Sequence, residues 1–61
     1  MIMTNSLKRA QRIARTHHKD YEEEVLIYHD PDWGFLVVTA TEDNAHPELE
    51  ECKLVEVFDY I

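Results

Sequence analysis

The stretch of residues 24–41, EVLIYHDPDWGFLVVTAT, decides the fold because it contains two strands and the turn that joins them. Residues 24–29 and 35–41 are rich in β-branched and aromatic side chains, which favour strands. Between them, residues 30–34 supply an aspartate acceptor, a proline with a preset φ and a glycine that tolerates positive φ. The sequence therefore predicts a β-hairpin with a tight turn.

Both faces of this hairpin are apolar, since neither strand alternates apolar with polar residues. A single helix covers one face of a sheet and leaves the other exposed, and monomers rarely expose an apolar patch of that size. We therefore expect a second copy of the chain, in a homodimer, or a protein partner to cover the second face. The residues expected at this interface are Leu26, Tyr28, Leu36 and Val38.

An amphipathic helix is predicted upstream, over residues 5–18, because apolar residues recur there at intervals of three and four. Thr4, Asn5 or Ser6 would supply its N-cap oxygen. At 100° per residue, the apolar and the basic side chains fall on opposite sides of the helix. The apolar side holds Leu7, Ala10, Ile13, Ala14 and His17, and Tyr21 continues it. We call the opposite side the basic face; it holds Lys8, Arg9, Arg12, Arg15 and Lys19.

The basic face conflicts with local helix energetics. Lys8 and Arg9 lie in the first turn, where the helix dipole favours acidic residues. Lys8 with Arg12, and Arg15 with Lys19, are like-charged pairs four residues apart, each of which costs about 0.2–0.5 kcal/mol. Unfavourable charge interactions that no nearby residue offsets often mark a functional surface. The basic face is therefore a candidate for contact with phosphates or with an acidic protein.

The rest of the chain predicts an acidic polar loop over residues 41–48 and a third strand over residues 53–61. Residues 47–51 have an alternative as a helical turn with Pro47 at its first position. The expected fold is α+β, in one small domain of residues 1–61, with the N-terminal amphipathic helix packed on a three-stranded antiparallel β-meander (α-β-β-β). Whether the third strand pairs with the first or the second stays open.

Charge is sorted by position along the chain. Five of the six basic residues precede residue 20, whereas all thirteen acidic residues lie from Asp20 onward, and the net charge is −7. Such a balance favours basic partners over free nucleic acid. No apolar run is long enough for a signal peptide or a membrane span, and the lone Cys52 excludes an intramolecular disulfide. We therefore expect a soluble, cytoplasmic protein that does not bind membranes.

The residues that could bind a metal or take part in catalysis do not form a recognisable site. His17, His18, Asp20 and His29 are metal-ligand types, but adjacent histidines project about 100° apart on a helix, so we expect no metal and no cofactor. Cys52 lacks a catalytic motif and is interpreted as a structural thiol. Paired carboxylates arise by chance in so acidic a chain, and a domain this small has little volume for a deep pocket. We therefore expect no enzymatic activity.

The acidic residues that follow the helix offer a second surface. It would occupy a basic cleft on another protein by imitating nucleic-acid charge, whereas the alternative role is solubility. Trp33 either protrudes as an interface anchor or folds back on the core, and the sequence favours neither. The predicted protein-binding residues are Asp30, Asp32, Trp33, Glu48, Glu50 and Glu51.

These observations predict a small acidic module that binds a protein without catalysis. Its most specific form is an inhibitor or regulator of a nucleic-acid-handling protein with a basic surface, of the kind that phages and mobile elements encode, by analogy of size and charge. The first alternative is a nucleic-acid-binding module that uses the basic face, although direct binding is less favoured by the net charge. The second alternative is a structural subunit held by the apolar second face of the sheet.

Overall fold

Four antiparallel strands form one sheet in the computed structural model, which describes residues 1–59. They are β1 (Ile2–Thr4), β2 (Val25–Asp30), β3 (Gly34–Thr39) and β4 (Lys53–Phe58). Their spatial order is β1-β3-β2-β4. The helix α1 (Leu7–Tyr21) packs on one side of the sheet, and the short helix α2 (Ala40–Ala45) and a 3₁₀ turn (Pro47–Glu51) follow β3.

The predicted hairpin is confirmed. β2 and β3 pair in register from Val25 opposite Thr39 to Asp30 opposite Gly34. Gly34 has φ +85°, a conformation that side chains with a Cβ adopt only with strain, and a Cβ there would lie 2.8 Å from the backbone oxygen of Thr4. The glycine therefore closes the turn and also lets β1 approach the hairpin.

The three-stranded α-β-β-β meander is wrong in two respects. A further strand, β1, precedes the helix and pairs with β3 through Ile2 opposite Val37 and Thr4 opposite Phe35. Because β1 occupies the outer edge of β3, β4 pairs with β2 instead, and this settles the strand order that the sequence left open. The part of the predicted third strand beyond β4 includes Tyr60 and Ile61, which lie outside the described residues.

The helix α1 forms where the apolar spacing predicts it and extends one turn further. Ser6 is its N-cap and accepts a hydrogen bond from the backbone N–H of Arg9 at 3.3 Å. Its C-cap, Glu22, has a left-handed conformation with φ 53° and donates its backbone N–H to the carbonyl of His18. Ala10 and Ala14 are fully buried, and their small side chains bring the helix close to the sheet.

The core on the α1 side consists of apolar residues from the helix and three strands. The buried members are Ala10, Ala14, Val25, Ile27, Val37 and Phe58. A side-chain hydrogen bond adds to this packing, since the Gln11 amide donates to Oε1 of Glu56 on β4 at 2.9 Å. The predicted inward side of the helix is thus confirmed at its centre, whereas Leu7 and Tyr21 at its ends are exposed.

The chain itself covers the second sheet face over β2 and β3, contrary to the expectation that this face would be left open, whereas Leu54 and Val57 on β4 stay exposed. Leu49 of the 3₁₀ turn is buried against Leu26, Leu36 and Val38, and Tyr28 packs at the margin of this cluster. Three of the four residues expected at an oligomer interface are therefore core residues of one chain. The homodimer stays a prediction, but Leu26, Leu36 and Val38 are not exposed as its contact residues.

The predicted loop over residues 41–48 is also wrong in its first part, which forms α2. Thr39 and Glu42 make a capping box there: the Thr39 hydroxyl accepts from the Glu42 backbone at 3.3 Å, and the Glu42 carboxylate accepts from the Thr39 backbone at 3.0 Å. The alternative helical turn with Pro47 at its start is confirmed as the 3₁₀ turn. Among residues 1–59, no helix is both long and apolar enough to cross a membrane.

Candidate functional site

The hairpin tip presents Trp33 to solvent. Its side chain is 64% exposed, which decides between the two orientations that the sequence left open. The preceding turn holds it there, because Oδ1 of Asp30 accepts hydrogen bonds from the backbone N–H groups of Asp32 at 2.7 Å and Trp33 at 3.1 Å. This Asx turn is local and well connected, so the exposed indole belongs to a defined backbone conformation.

Trp33 borders a cleft of about 340 Å³ on the second side of the sheet. Apolar side chains from β1, β3 and the 3₁₀ turn form much of its lining, and three carboxylates and one thiol complete it. We call it the acidic cleft; it is lined by Met1, Met3, Asp30, Trp33, Leu36, Glu48, Leu49, Glu51 and Cys52. Its combination of apolar lining and carboxylates suits an occupant that is both apolar and cationic.

Hydrogen bonding keeps one of these carboxylates ionised. The backbone N–H of Asp32 lowers the pKa of Asp30, and the backbone N–H of Trp33 and the Cys52 thiol lower it further. The thiol donates from Sγ to Oδ2 of Asp30 at 3.6 Å. Asp30 is therefore a fixed negative charge at neutral pH, and it links the hairpin tip to the residue that follows the 3₁₀ turn.

The thiol itself is a poor nucleophile. Burial raises the pKa of Cys52, and the hydrogen bond to Asp30 and the charge of that carboxylate raise it further. A thiol reacts as its thiolate, so these effects reduce its reactivity at neutral pH. The chemistry of the cleft therefore favours binding over covalent catalysis.

The predicted protein-binding residues fall into two groups. Asp30, Trp33, Glu48 and Glu51 line the acidic cleft together. Asp32 is exposed in the turn beside Trp33 but is not part of the lining. Glu50 points elsewhere and lines a neighbouring recess of about 300 Å³ with residues that include Tyr28 and Asp43.

Sequence reasoning missed the apolar half of the cleft. Met1 and Met3 enter it only because β1 pairs with β3, where Met3 lies opposite Leu36. Leu49 enters it because the 3₁₀ turn folds over the sheet. The single apolar position among the acids of residues 47–51 was a usable signal for Leu49, whereas nothing local marked Met3.

The basic face lies on the exposed side of α1, as predicted. Each of its five residues is exposed. The ion pairs found within residues 1–59 lie elsewhere, one between the amino group of Met1 and Glu42 and one between His46 and Glu48 at 3.0 Å. The fold therefore leaves these five cations without a carboxylate partner in the part of the chain that the structure describes.

The histidines that suggested metal ligands are separated. The His17 ring contacts Tyr21 edge-on at 5.3 Å, His18 Nδ1 lies 2.8 Å from the Glu23 carbonyl, and the His29 ring lies 4.9 Å from that of Phe35. Within the described residues, no three histidine, cysteine or acidic side chains converge as metal ligands would. Comparison of the chain with protein-family models, with curated proteins and with solved structures finds no match.

Proposed function

We propose that this protein is a non-enzymatic binding module whose acidic cleft holds a basic protein that handles nucleic acid, and that it acts in the cytoplasm as an inhibitor or regulator of that protein. The observation that carries the proposal is the position of Trp33. A 64% exposed tryptophan stands beside an apolar cleft that three carboxylates border. Interface hot spots are enriched in tryptophan, and hydrophobic exposure of this kind marks interaction sites.

The occupant follows from the chemistry of the lining. Methionine and leucine side chains accept an apolar group or the aliphatic stem of a lysine or arginine, and the carboxylates of Asp30, Glu48 and Glu51 accept the charged end. The indole of Trp33 offers a face for a cation. A basic surface with protruding arginine or lysine side chains would fit the apolar lining, the carboxylates and the indole together.

Such a surface is what a nucleic-acid-handling protein presents to phosphates. A row of carboxylates that occupies it competes with nucleic acid for the same cations, and the net charge of −7 speeds the encounter. Inhibition by competition is the simplest regulatory consequence. It needs no catalytic group, consistent with the ionised Asp30 and the poorly reactive Cys52.

The structural-subunit alternative rested on an uncovered second sheet face. Since Leu49 buries Leu26, Leu36 and Val38 within one chain, only the exposed β4 residues of this face, Leu54 and Val57, still support that alternative. The acidic cleft borders the same cluster, and Leu54 and Val57 on β4 are also exposed on this side of the sheet.

The test compares capture of basic proteins by three immobilised forms. Glu48→Gln with Glu51→Gln removes two charges from the acidic cleft, and Asp20→Asn with Glu24→Gln removes two exposed charges near the end of α1 as a matched control. We expect the unmodified protein and the control to retain the same basic partner, and the cleft variant to release it at lower salt. The partner, once purified, should lose its nucleic acid when the unmodified protein is added.

The proposal would be overturned by a partner that the cleft variant and the control bind equally well. It would also be overturned by a partner that binds nucleic acid and this protein at the same time with undiminished affinity. Trp33→Ala provides a charge-neutral check, because an indole in the interface predicts a loss of about 2 kcal/mol or more of binding free energy.

A further inference from the structure

We propose that the basic face of α1 is a second binding surface, which contacts the phosphate backbone of duplex nucleic acid. It lies on the exposed side of the helix that covers the first sheet face, whereas the acidic cleft lies on the other side of the sheet. All five of its cations are exposed, and the ion pairs within residues 1–59 involve none of them. The positive charge of this surface is therefore available to an external anion.

The spacing of the cations matches an extended polyanion. Lys8, Arg12, Arg15 and Lys19 follow one another at steps of four, three and four residues along α1. At 1.5 Å per residue these steps are about 6, 4.5 and 6 Å, so the row is about 16 Å long. One strand of a duplex presents a phosphate about every 3.4 Å of helix axis, so several phosphates lie within reach of a row of that length.

The carboxylates on the far side of the sheet oppose this contact only weakly, whereas Glu56 lies on the α1 side, where it accepts a hydrogen bond from the Gln11 amide at 2.9 Å. The shortest dimension of the molecule is 14 Å, which exceeds the Debye length of about 8 Å at physiological ionic strength. Charges on the far side of the sheet are therefore largely screened from an anion that lies on α1. The first turn of the helix contains no acidic residue, so its dipole adds to the positive potential there.

The acids closest in sequence to the row follow its C-terminal end. Asp20 is adjacent to Lys19, and Glu22 and Glu24 come directly after the helix, where all three are exposed. They reduce the local potential around Lys19 more than around residues near the middle of the helix. Of the cations in the row, Lys19 should therefore gain most from removal of Asp20, Glu22 and Glu24.

A duplex suits this surface better than a single strand. Proteins that bind single strands stack bases on aromatic side chains, and the basic face contains none. The apolar side of α1 is committed to the core through Ala10 and Ala14, so it is not free to enter a membrane. What the basic face offers is a regular row of lysine and arginine side chains, which are the groups that contact backbone phosphates.

The test measures binding of a fluorescently labelled DNA duplex of random sequence across a salt series. Four phosphate contacts at about −0.9 each predict a slope of log affinity against log salt of about −3.6. Arg12→Glu and Lys53→Glu each change the formal net charge by two, from −7 to −9, but only Arg12 belongs to the basic face. We expect Arg12→Glu to weaken binding about tenfold and to reduce the slope by about one. Lys53→Glu should leave both values close to those of the unmodified protein.

Arg12 is exposed, and its side chain makes no described hydrogen bond that the substitution would remove, so circular dichroism should show both variants folded. Equal losses in the two variants would overturn the proposal, because they would show a response to net charge alone. A slope near zero would overturn it as well. The proposal would also be overturned if a single strand bound more tightly than a duplex. It would be overturned as well if Arg12→Glu weakened binding only to an acidic protein, because the surface would then serve another class of ligand.

Discussion

The hydroxyl of Tyr28 donates a hydrogen bond to Oδ1 of Asp43 at 2.7 Å and thereby ties β2 to α2. This contact holds the segment between β3 and β4 against the second side of the sheet, close to where Leu49 closes the core. Burial raises the pKa of Tyr28 to about 12, and the hydrogen bond to Asp43 and that carboxylate's charge contribute to the increase. This tether on the second side of the sheet therefore titrates only at high pH.

Stability should fall at alkaline pH through Tyr28. The folded pKa of about 12 exceeds the ordinary value of about 10, so the neutral phenol is favoured in the folded state. The stabilisation is complete below about pH 10 and is lost as the pH rises through about 12. Denaturant unfolding at a series of pH values should show this decline. Tyr28→Phe should lower stability by about 0.5–1.5 kcal/mol at neutral pH and flatten the alkaline decline. An unchanged alkaline slope in this variant would contradict the assignment to Tyr28.

Leu49 should be a stability determinant despite its place in a short 3₁₀ turn. Its side chain is 3% exposed and packs on Leu26, Leu36 and Val38. Leu49→Ala should cost about 2–5 kcal/mol, a large fraction of the stability of a domain this small. Leu54→Ala is the matched control, because Leu54 is 47% exposed and should lose far less. Thermal unfolding gives the comparison, and equal effects of the two substitutions would show that Leu49 does not close the core.

Much of this architecture follows from local sequence. Residues 24–41 hold two runs of β-branched and aromatic residues on either side of a turn, and the apolar spacing before them indicates the side of α1 that is buried. The turn was predictable from the cluster of turn-forming residues around Trp33, whereas the exposure of the indole was not. What local sequence lacks is a signal for β1, because three residues are too few to establish a period of two.

The missed α2 has a different cause. The pair Thr39 and Glu42 is a capping-box signature, and it was readable in the sequence, but the surrounding acids favoured interpretation as a loop. α2 itself buries no residue, and the second sheet face is closed by Leu49 of the 3₁₀ turn, which the sequence offered only as an alternative. The interface expected at Leu26, Leu36 and Val38 followed from leaving that turn unplaced. Half of the acidic cleft was predictable because carboxylates and tryptophan are conspicuous. Its apolar half required the tertiary placement of Met3 and Leu49.

Gly34 should tolerate no larger residue without loss of stability. Its φ of +85° strains any residue with a Cβ, at about 1–2 kcal/mol for a left-handed conformation, and the added atom would meet the Thr4 oxygen at 2.8 Å. Gly34→Ala combines both penalties, whereas Gly34→Asn keeps the steric contact but relieves part of the backbone strain. Alanine should therefore lower the melting temperature more than asparagine does. Amide exchange in β1 should accelerate in both variants, and unaltered β1 protection would show that the close approach is not needed.

Asp30 should suppress the reactivity of Cys52. Burial raises the pKa of the thiol, and the carboxylate, 3.6 Å from Sγ, raises it further by accepting its hydrogen bond and by repelling the thiolate. Asp30→Asn removes the negative charge but retains an oxygen acceptor for the turn, so the thiolate should form at lower pH and alkylation by iodoacetamide should accelerate near pH 8. Asp32→Asn removes one charge from the same turn, but the described hydrogen bond of the thiol is to Asp30, so the rate should stay close to that of the unmodified protein. Equal acceleration in both variants would attribute the effect to the general field of the hairpin tip. A lower midpoint in the pH profile of Asp30→Asn alone would show that this carboxylate directly protects the thiol of the acidic cleft.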